Sequence, residues 1–219
     1  MGSTQKLPEE LYKTPTASLS DALDALGIRG FMNHDIKPCV KDLKMVGRAV
    51  TVKDVPSNKK SLLLQALEVI EDAKPGDIYV RAIEGGGEES ANIALFGGLM
   101  ALGSKMKGLA GAVIDAGARD ITEYEEMGFP VFSKSVIPST SLGRTEIVGV
   151  NVPVRCGGVL VNPGDVIVGD NDGVVVIPKD KLDRVLELAK GMDEKEGEMT
   201  KELKQGRSLL ETVKKYSRI

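Results

Sequence analysis

The chain has 219 residues, enough for one domain with a sizeable core, and its 42% hydrophobic and 28% charged content is that of a globular protein. A net charge of -3, with aromatics at 4% and no Trp, argues against a phosphate-neutralising or base-stacking surface, so no nucleic-acid partner is expected. His34 is the only histidine, which excludes a multi-histidine zinc site and weakens Ser-His or Cys-His catalysis; any metal would be held mainly by oxygen ligands, which suits Mg or Mn.

MGSTQKLPEEL at the start lacks the apolar run of a signal peptide, and no stretch approaches 18 apolar residues, so a cytoplasmic protein without a membrane span is expected. Cys39 and Cys156 are far apart and read as free thiols in a reducing compartment. Residues 18–27, SLSDALDALG, predict a helix with Leu19, Ala22, Leu23 and Leu26 on one face, Ser18 and Asp21 as a capping box, and Gly27 as its stop. Residues 28–43 read as irregular. Residues 45–55 alternate as a strand, with Gly47 as a candidate bulge. Residues 61–73 predict a helix with Leu62, Leu63, Ala66, Leu67 and Ile70 inward.

Pro75-Gly76-Asp77-Ile78-Tyr79-Val80 has a counterpart in Pro163-Gly164-Asp165-Val166-Ile167-Val168, which reads as two type II turns feeding strands or as the trace of a duplication. The loop EGGGEES at 84–90 follows a strand. It lacks GxGxxG and a Walker lysine, and its three glutamates would repel phosphate, so a mobile loop over a site is the better reading.

A helix over 99–107 opens at Gly97-Gly98 and stops at Gly108; a strand at 111–116 ends in Asp115; a helix at 121–127 is capped by Asp120; and a strand follows at 129–132. Valines alternating with Gly and Asn turns over 146–178 predict short strands, with 170–173 as a hairpin turn. Residues 181–192 form an apolar-faced helix. Residues 193–205 are mostly charged and interrupted by Gly197, either as a solvated face or as a subunit contact, before a last amphipathic segment at 208–216.

The chemistry concentrates between Phe96 and Pro130, where Asp115, Arg119, Asp120 and Glu123 form one dense polar cluster. Gly97, Gly98, Leu99 and Met100 put a flexible backbone at a helix N-terminus, whose free N–H groups suit a carboxylate, or else let helix and sheet pack closely. Arg119 offers a planar fork for a carboxylate, Asp120 a hard metal ligand, and Glu123, one turn on, a second carboxylate; the alternative is a capping Asp120 with Arg119 paired to Glu123.

Gly98, twenty intervening residues, Arg119-Asp120, two residues and Glu123 together resemble the signature of the 4-hydroxy-4-methyl-2-oxoglutarate aldolase family, which shares its fold with the RraA-like regulators of RNase E activity. Many of its members carry a mistaken demethylmenaquinone methyltransferase name. The segments LSDALDALG, AGAVIDAGARD, PGDVIVGDNDGVVVIP and GRSLLETVKKY extend the resemblance over nearly the whole chain. It implies an α/β fold: a swivelling β/β/α-type single domain over 1–219, with a β-rich C-terminal half, flanking helices, and 193–219 as a helical extension at a subunit interface. It further implies a homotrimer or hexamer with sites between subunits.

The implied activity is metal-dependent retro-aldol cleavage of a 4-hydroxy-2-oxo acid to pyruvate, with oxaloacetate decarboxylation as a side activity. Catalysis would fall to Arg119, Asp120 and Glu123; substrate binding to Gly97, Gly98, Leu99, Met100 and Arg119; and Mg or Mn to Asp120. The family's aldolases tend to carry an acid where this chain has Gly98. Glu84, Glu88 or Glu89, or a neighbour's Glu194, Glu196 or Glu198, are candidates to replace it, and the alternative function is a non-catalytic regulator.

Overall fold

The computed structural model describes residues 6–60 and 64–216. In chain order these contain α1 (Thr16–Ala25), β1 (Lys37–Pro38), β2 (Met45–Pro56), α2 (Leu64–Asp72), β3 (Asp77–Ile83), β4 (Ala94–Phe96), α3 (Gly98–Met106), β5 (Gly111–Ala118) and α4 (Ile121–Met127). There follow β6 (Val131–Val136), β7 (Thr145–Val150), β8 (Val154–Cys156), β9 (Val159–Val161), β10 (Val166–Gly169), β11 (Val174–Ile177), α5 (Leu182–Lys204) and α6 (Leu209–Tyr216). Short 3-10 turns occupy Glu9–Tyr12 and Gly87–Asn92.

Nine strands form one sheet in the order β1-β6-β5-β3-β2-β10-β11, with β4 on β5 and β7 on β2. Its centre, β2-β3-β5-β6, is parallel, as is β4 on β5, while β1, β7, β10 and β11 pair antiparallel. The sheet curls into a nearly closed barrel. Val80, Val113, Phe132, Ile167 and Val176, from across the whole order, share one buried cluster with Val154 and Val161 of the β8-β9 hairpin. This is the α/β, β-rich architecture the sequence implied, with helices flanking the sheet.

Two further clusters lie outside the barrel. One packs the opposite faces of β3 and β5 (Tyr79, Ala112, Ile114, Ala116) against residues of α2, α3 and α4. The other packs Val46, Val166 and Val175 against Leu19, Leu23, Val185 and Ala189 of α1 and α5. Each fully buried Leu or Val side chain contributes about 1.5–3 kcal/mol of transfer free energy.

Several local expectations change in the fold. The first helix begins at Thr16, so Ser18 is no cap; its hydroxyl donates to Asp193 of α5 at 2.6 Å. Thr16 is held instead by Asp170 of the β10-β11 turn, whose carboxylate accepts from the Thr16 amide (2.9 Å) and hydroxyl (2.6 Å). Gly27, at φ 70°, does end the helix.

Gly47 is no bulge: a Cβ there would lie 2.2 Å from the Gly76 carbonyl, and the register shift falls at Lys53/Asp54. Leu67 faces out, while Ala66, Val69 and Ile70 face in; Leu62 and Leu63 lie outside the described residues. The strand expected at 129–132 runs from Val131 to Val136. Gly197 does not interrupt α5, which continues for 23 residues, about 35 Å at 1.5 Å per residue.

The two Pro-Gly-Asp phrases use one device. Gly76 and Gly164 have φ 87° and 86°, and Asp77 and Asp165 each accept the amide three residues back at 2.8 Å. The strands they feed lie on opposite sides of β2, one parallel and one antiparallel to it. The likeness is therefore one of turns. Among the described residues no helix is long and apolar enough to cross a membrane.

Candidate functional site

The Phe96–Pro130 stretch folds so that two strand ends release two helices side by side. β4 leads through Gly97 into α3, and β5 leads through Arg119 and Asp120 into α4. Both strands are buried and apolar, which fixes where they end, and the Arg119 amide donates to the Phe96 carbonyl at 3.1 Å, locking the two exits together.

Asp120 sits at the head of α4 but does not cap it. Its backbone is left-handed (φ 64°, ψ 43°), a conformation Asp tolerates better than most residues, and this turns the side chain away from α4. Its carboxylate instead accepts the Gly98 amide at 2.9 Å, so one helix receives its N-terminal carboxylate from the start of the other. The remaining first-turn amides of α3, at Leu99 and Met100, have no intrahelical acceptor and are free for an anionic group.

Arg119 pairs with Asp120, Nε to Oδ2 at 3.6 Å, and donates from Nη1 to the Ser139 carbonyl at 3.0 Å. The pairing of Arg119 with Glu123 is not formed. Ser139 gave no sequence signal, because it contributes a main-chain oxygen. Arg119 and Asp120, with Ile121, Val136, Ile137 and Pro138, line a cleft of about 300 Å³.

Neither glycine has a positive φ, so what they provide here is space for neighbouring side chains. A Cβ on Gly97 would approach Asp120 Oδ2 to 2.9 Å and Arg119 Nε to 3.2 Å. A Cβ on Gly98 would lie 1.7 Å from Glu123 Oε2, so the Glu123 carboxylate occupies the position a side chain at 98 would need. Gly97, Gly98, Arg119, Asp120 and Glu123 are thus brought together, with Leu99 and Met100 next in the helix. Leu99 itself is 86% exposed beside them.

Asp115, grouped with this cluster by sequence, lies elsewhere. It accepts the Gly157 amide at 2.8 Å, pairs with Lys134 at 3.6 Å, and lines a separate cavity of about 570 Å³ with Glu84, Glu88 and Arg155. Glu84 is engaged there by Lys53 (3.1 Å) and the Arg155 amide (3.2 Å). Burial would raise its carboxyl, but these partners outweigh that and hold it below the usual range. Glu194, Glu196 and Glu198 are exposed on α5. Tyr124 of α4 is fully buried, and burial, aided by the negative charge of Asp120, pushes its phenol well up.

Among the described residues no three His, Cys, Asp or Glu side chains converge as a metal cage. Mg does not require one, because it keeps several waters and is commonly bound through one or two carboxylates plus substrate oxygens. Asp120, with Glu123 beside it, matches that donor set in type and number.

Comparison with known proteins agrees with this architecture. The RraA-like profile, described as Aldolase/RraA, matches residues 16–176. A Halalkalibacterium halodurans protein provisionally named 4-hydroxy-4-methyl-2-oxoglutarate aldolase is 40% identical over 177 residues, covering 80% of this chain and 78% of its own. An uncharacterized Methanocaldococcus jannaschii protein is 38% identical over 182 residues, covering 82% and 83%. The crystal structure of Streptomyces coelicolor RraAS2, titled an unusual member of the RNase ES inhibitor RraA protein family, superposes with a TM-score of 0.75 at 29% identity, covering 93% of this chain and 99% of that one. With the profile spanning most of the chain and a barrel-like fold shared with solved relatives, the protein belongs to the RraA-like (Aldolase/RraA) family.

Proposed function

We propose that this protein is a divalent-metal-dependent lyase that cleaves a 4-hydroxy-2-oxo acid of the 4-hydroxy-4-methyl-2-oxoglutarate type to pyruvate, and that it decarboxylates oxaloacetate as a side activity. The carrying observation is the convergence of Arg119, Asp120 and the Glu123 carboxylate on the amide end of α3 at Gly98. The name given to the 40%-identical relative supports the same substrate class.

In this reading Asp120, with Glu123 beside it, would hold Mg or Mn, and the ion would supply Lewis acidity at the 2-oxo group. The Leu99 and Met100 amides receive the substrate carboxylate. Glu123, or a water it orients, takes the proton of the 4-hydroxyl. The C3–C4 bond then breaks, its electron pair passes to the pyruvate enolate, and Arg119 meets the developing negative charge. Protonation at C3 completes pyruvate. Loss of CO2 from oxaloacetate yields the same enolate, so one constellation serves both reactions without a Schiff-base lysine.

The test is pyruvate release from both substrates with Mg, with Mn and with chelator. Arg119→Ala is expected to lose roughly 2–4 kcal/mol of transition-state stabilisation, as when an oxyanion donor is removed. Asp120→Ala should abolish the metal response. Absence of metal-dependent turnover from wild type under every condition would sink the lyase reading. It would leave the second one, a non-catalytic regulator-type binding protein, which Gly98 favours because it leaves two carboxylates beside Arg119. We also infer a cytoplasmic homotrimer or pair of trimers, in which the exposed Leu99 and Met106 of α3 are covered by a neighbour.

A further inference from the structure

Arg81 of β3 and Asp54 of β2 form an ion pair inside the protein. Arg81 is 1% exposed and Asp54 0%. The guanidinium donates from Nε and Nη2 to the two Asp54 oxygens, both at 2.8 Å, in a planar fork. Its Nη1 donates to the Leu95 carbonyl at 3.1 Å. Nothing in the reaction outlined above uses this pair.

Stability is a poor reason for it to exist. Taking two charges out of water costs as much as their attraction returns, and well-packed apolar residues often replace such pairs without loss. Neighbouring positions of the same strands, Val52, Tyr79 and Ile83, are filled by apolar or aromatic side chains in the same cluster.

What the pair does hold is β4. This strand has three residues and pairs with β5, with its register broken between Ala94 and Phe96. It occupies the lane beside β5 that β3 has vacated, since β3 pairs with β5 only as far as Asp115, and β4 takes over at Gly117. The Arg81 fork bridges that discontinuity, with one edge on β2 and one on Leu95. Two and three residues after Leu95 come Gly97 and Gly98, where clearances are tight: Asp120 Oδ2 lies 2.9 Å from where a Gly97 Cβ would sit, and the Gly98 amide meets the same oxygen at 2.9 Å.

We propose that the buried Arg81–Asp54 pair is a positioning element that fixes the Leu95 carbonyl and thereby aims the Gly97–Met100 amide cradle at the substrate carboxylate. This rests on the carboxylate-binding reading of that cradle. Asp54→Leu/Arg81→Met removes both charges and keeps the volume. Arg81→Lys keeps the charge but cannot reach both Asp54 oxygens and Leu95 together.

The experiment measures the melting temperature and the affinity for pyruvate in the presence of Mg for wild type and both variants, together with hydrogen exchange at the Gly98 amide against the central-strand amide of Ala112. Expected is a folded double variant with pyruvate affinity reduced about 10–100-fold, the range seen when outer supports of a site are lost. Exchange should quicken at Gly98 while Ala112 stays protected, and Arg81→Lys should fail to rescue either readout. A folded variant that binds pyruvate within twofold of wild type, with Gly98 exchange unchanged, overturns the proposal.

If the double variant does not fold, Arg81→Lys decides by the same two readouts. If wild type binds no pyruvate, the carboxylate reading has failed, and local exchange at Gly98 alone decides whether the pair positions the cradle: faster supports it, unchanged overturns it.

Discussion

Gly98 shows how one residue can carry the logic of the site. It stands at the first position of α3 with an ordinary negative φ, so alanine would fit the backbone and, by helix propensity, would stabilise by up to about 1 kcal/mol. The space works against this gain, since the Glu123 carboxylate is 1.7 Å from the new methyl position and must swing aside. Thermal melts should therefore show Gly98→Ala gaining less in the wild-type background than in a Glu123→Gly background. An equal gain in both backgrounds would mean that Glu123 does not occupy that space. The same contact bears on the acid that the family resemblance led one to expect at this position: the Glu123 carboxylate of α4 occupies the space, so a side chain at 98 would have to share it, and the site holds Asp120 and Glu123 without a third acid from α3.

At the scale of elements, the supports come from far away in the chain. Asp170 caps α1 across 154 residues. Burial raises its carboxyl, but the Thr16 hydroxyl and amide and the Lys44 ammonium more than offset this and hold it below the usual carboxylate range. A depressed carboxyl contributes stability above its unfolded pKa, lost as pH falls through the folded value. Asp170→Ala should then cost about 1.5–3 kcal/mol in urea unfolding near neutral pH, as for a hydrogen-bonded charge, and the difference from wild type should shrink below about pH 4. A gap that persists in acid would point to packing instead of charge. In α5 a Cβ added at Gly197 meets nothing within 4 Å, so Gly197→Ala should raise stability by about 1 kcal/mol. A loss would show that this half of the helix is pressed against a second subunit.

At the scale of the molecule, the outer face of α3 is unfinished. Leu99 and Met106 are 86% and 78% exposed, and Leu102 between them is also exposed, on the helix whose N-terminus forms the cradle. If assembly covers this face, sedimentation of Leu99→Glu/Met106→Glu should give monomers where wild type gives trimers or hexamers. Turnover should fall together with assembly, because Leu99 adjoins the cleft. A monomeric wild type would remove the assembly inference without touching the site geometry.

Sequence alone determined most of the local structure. Periodicity placed the helices, because a buried stripe at helical spacing has few other uses, and Gly and Pro-Gly-Asp signals placed the turns, because positive φ selects glycine. Residue type and spacing also placed Arg119, Asp120 and Glu123 near one helix start, since one strand end and one helical turn fix their separation. What sequence could not supply was direction. It made Asp120 the cap of α4, whereas a left-handed backbone turns it to α3; it grouped Asp115 with Arg119, whereas strand alternation sends Asp115 to the Gly157 side; and it made Ser18 a cap, whereas α5 takes its hydroxyl. Those outcomes depend on which distant segment lies within 3 Å, and only the closure of the sheet and the packing of helices on it decide that.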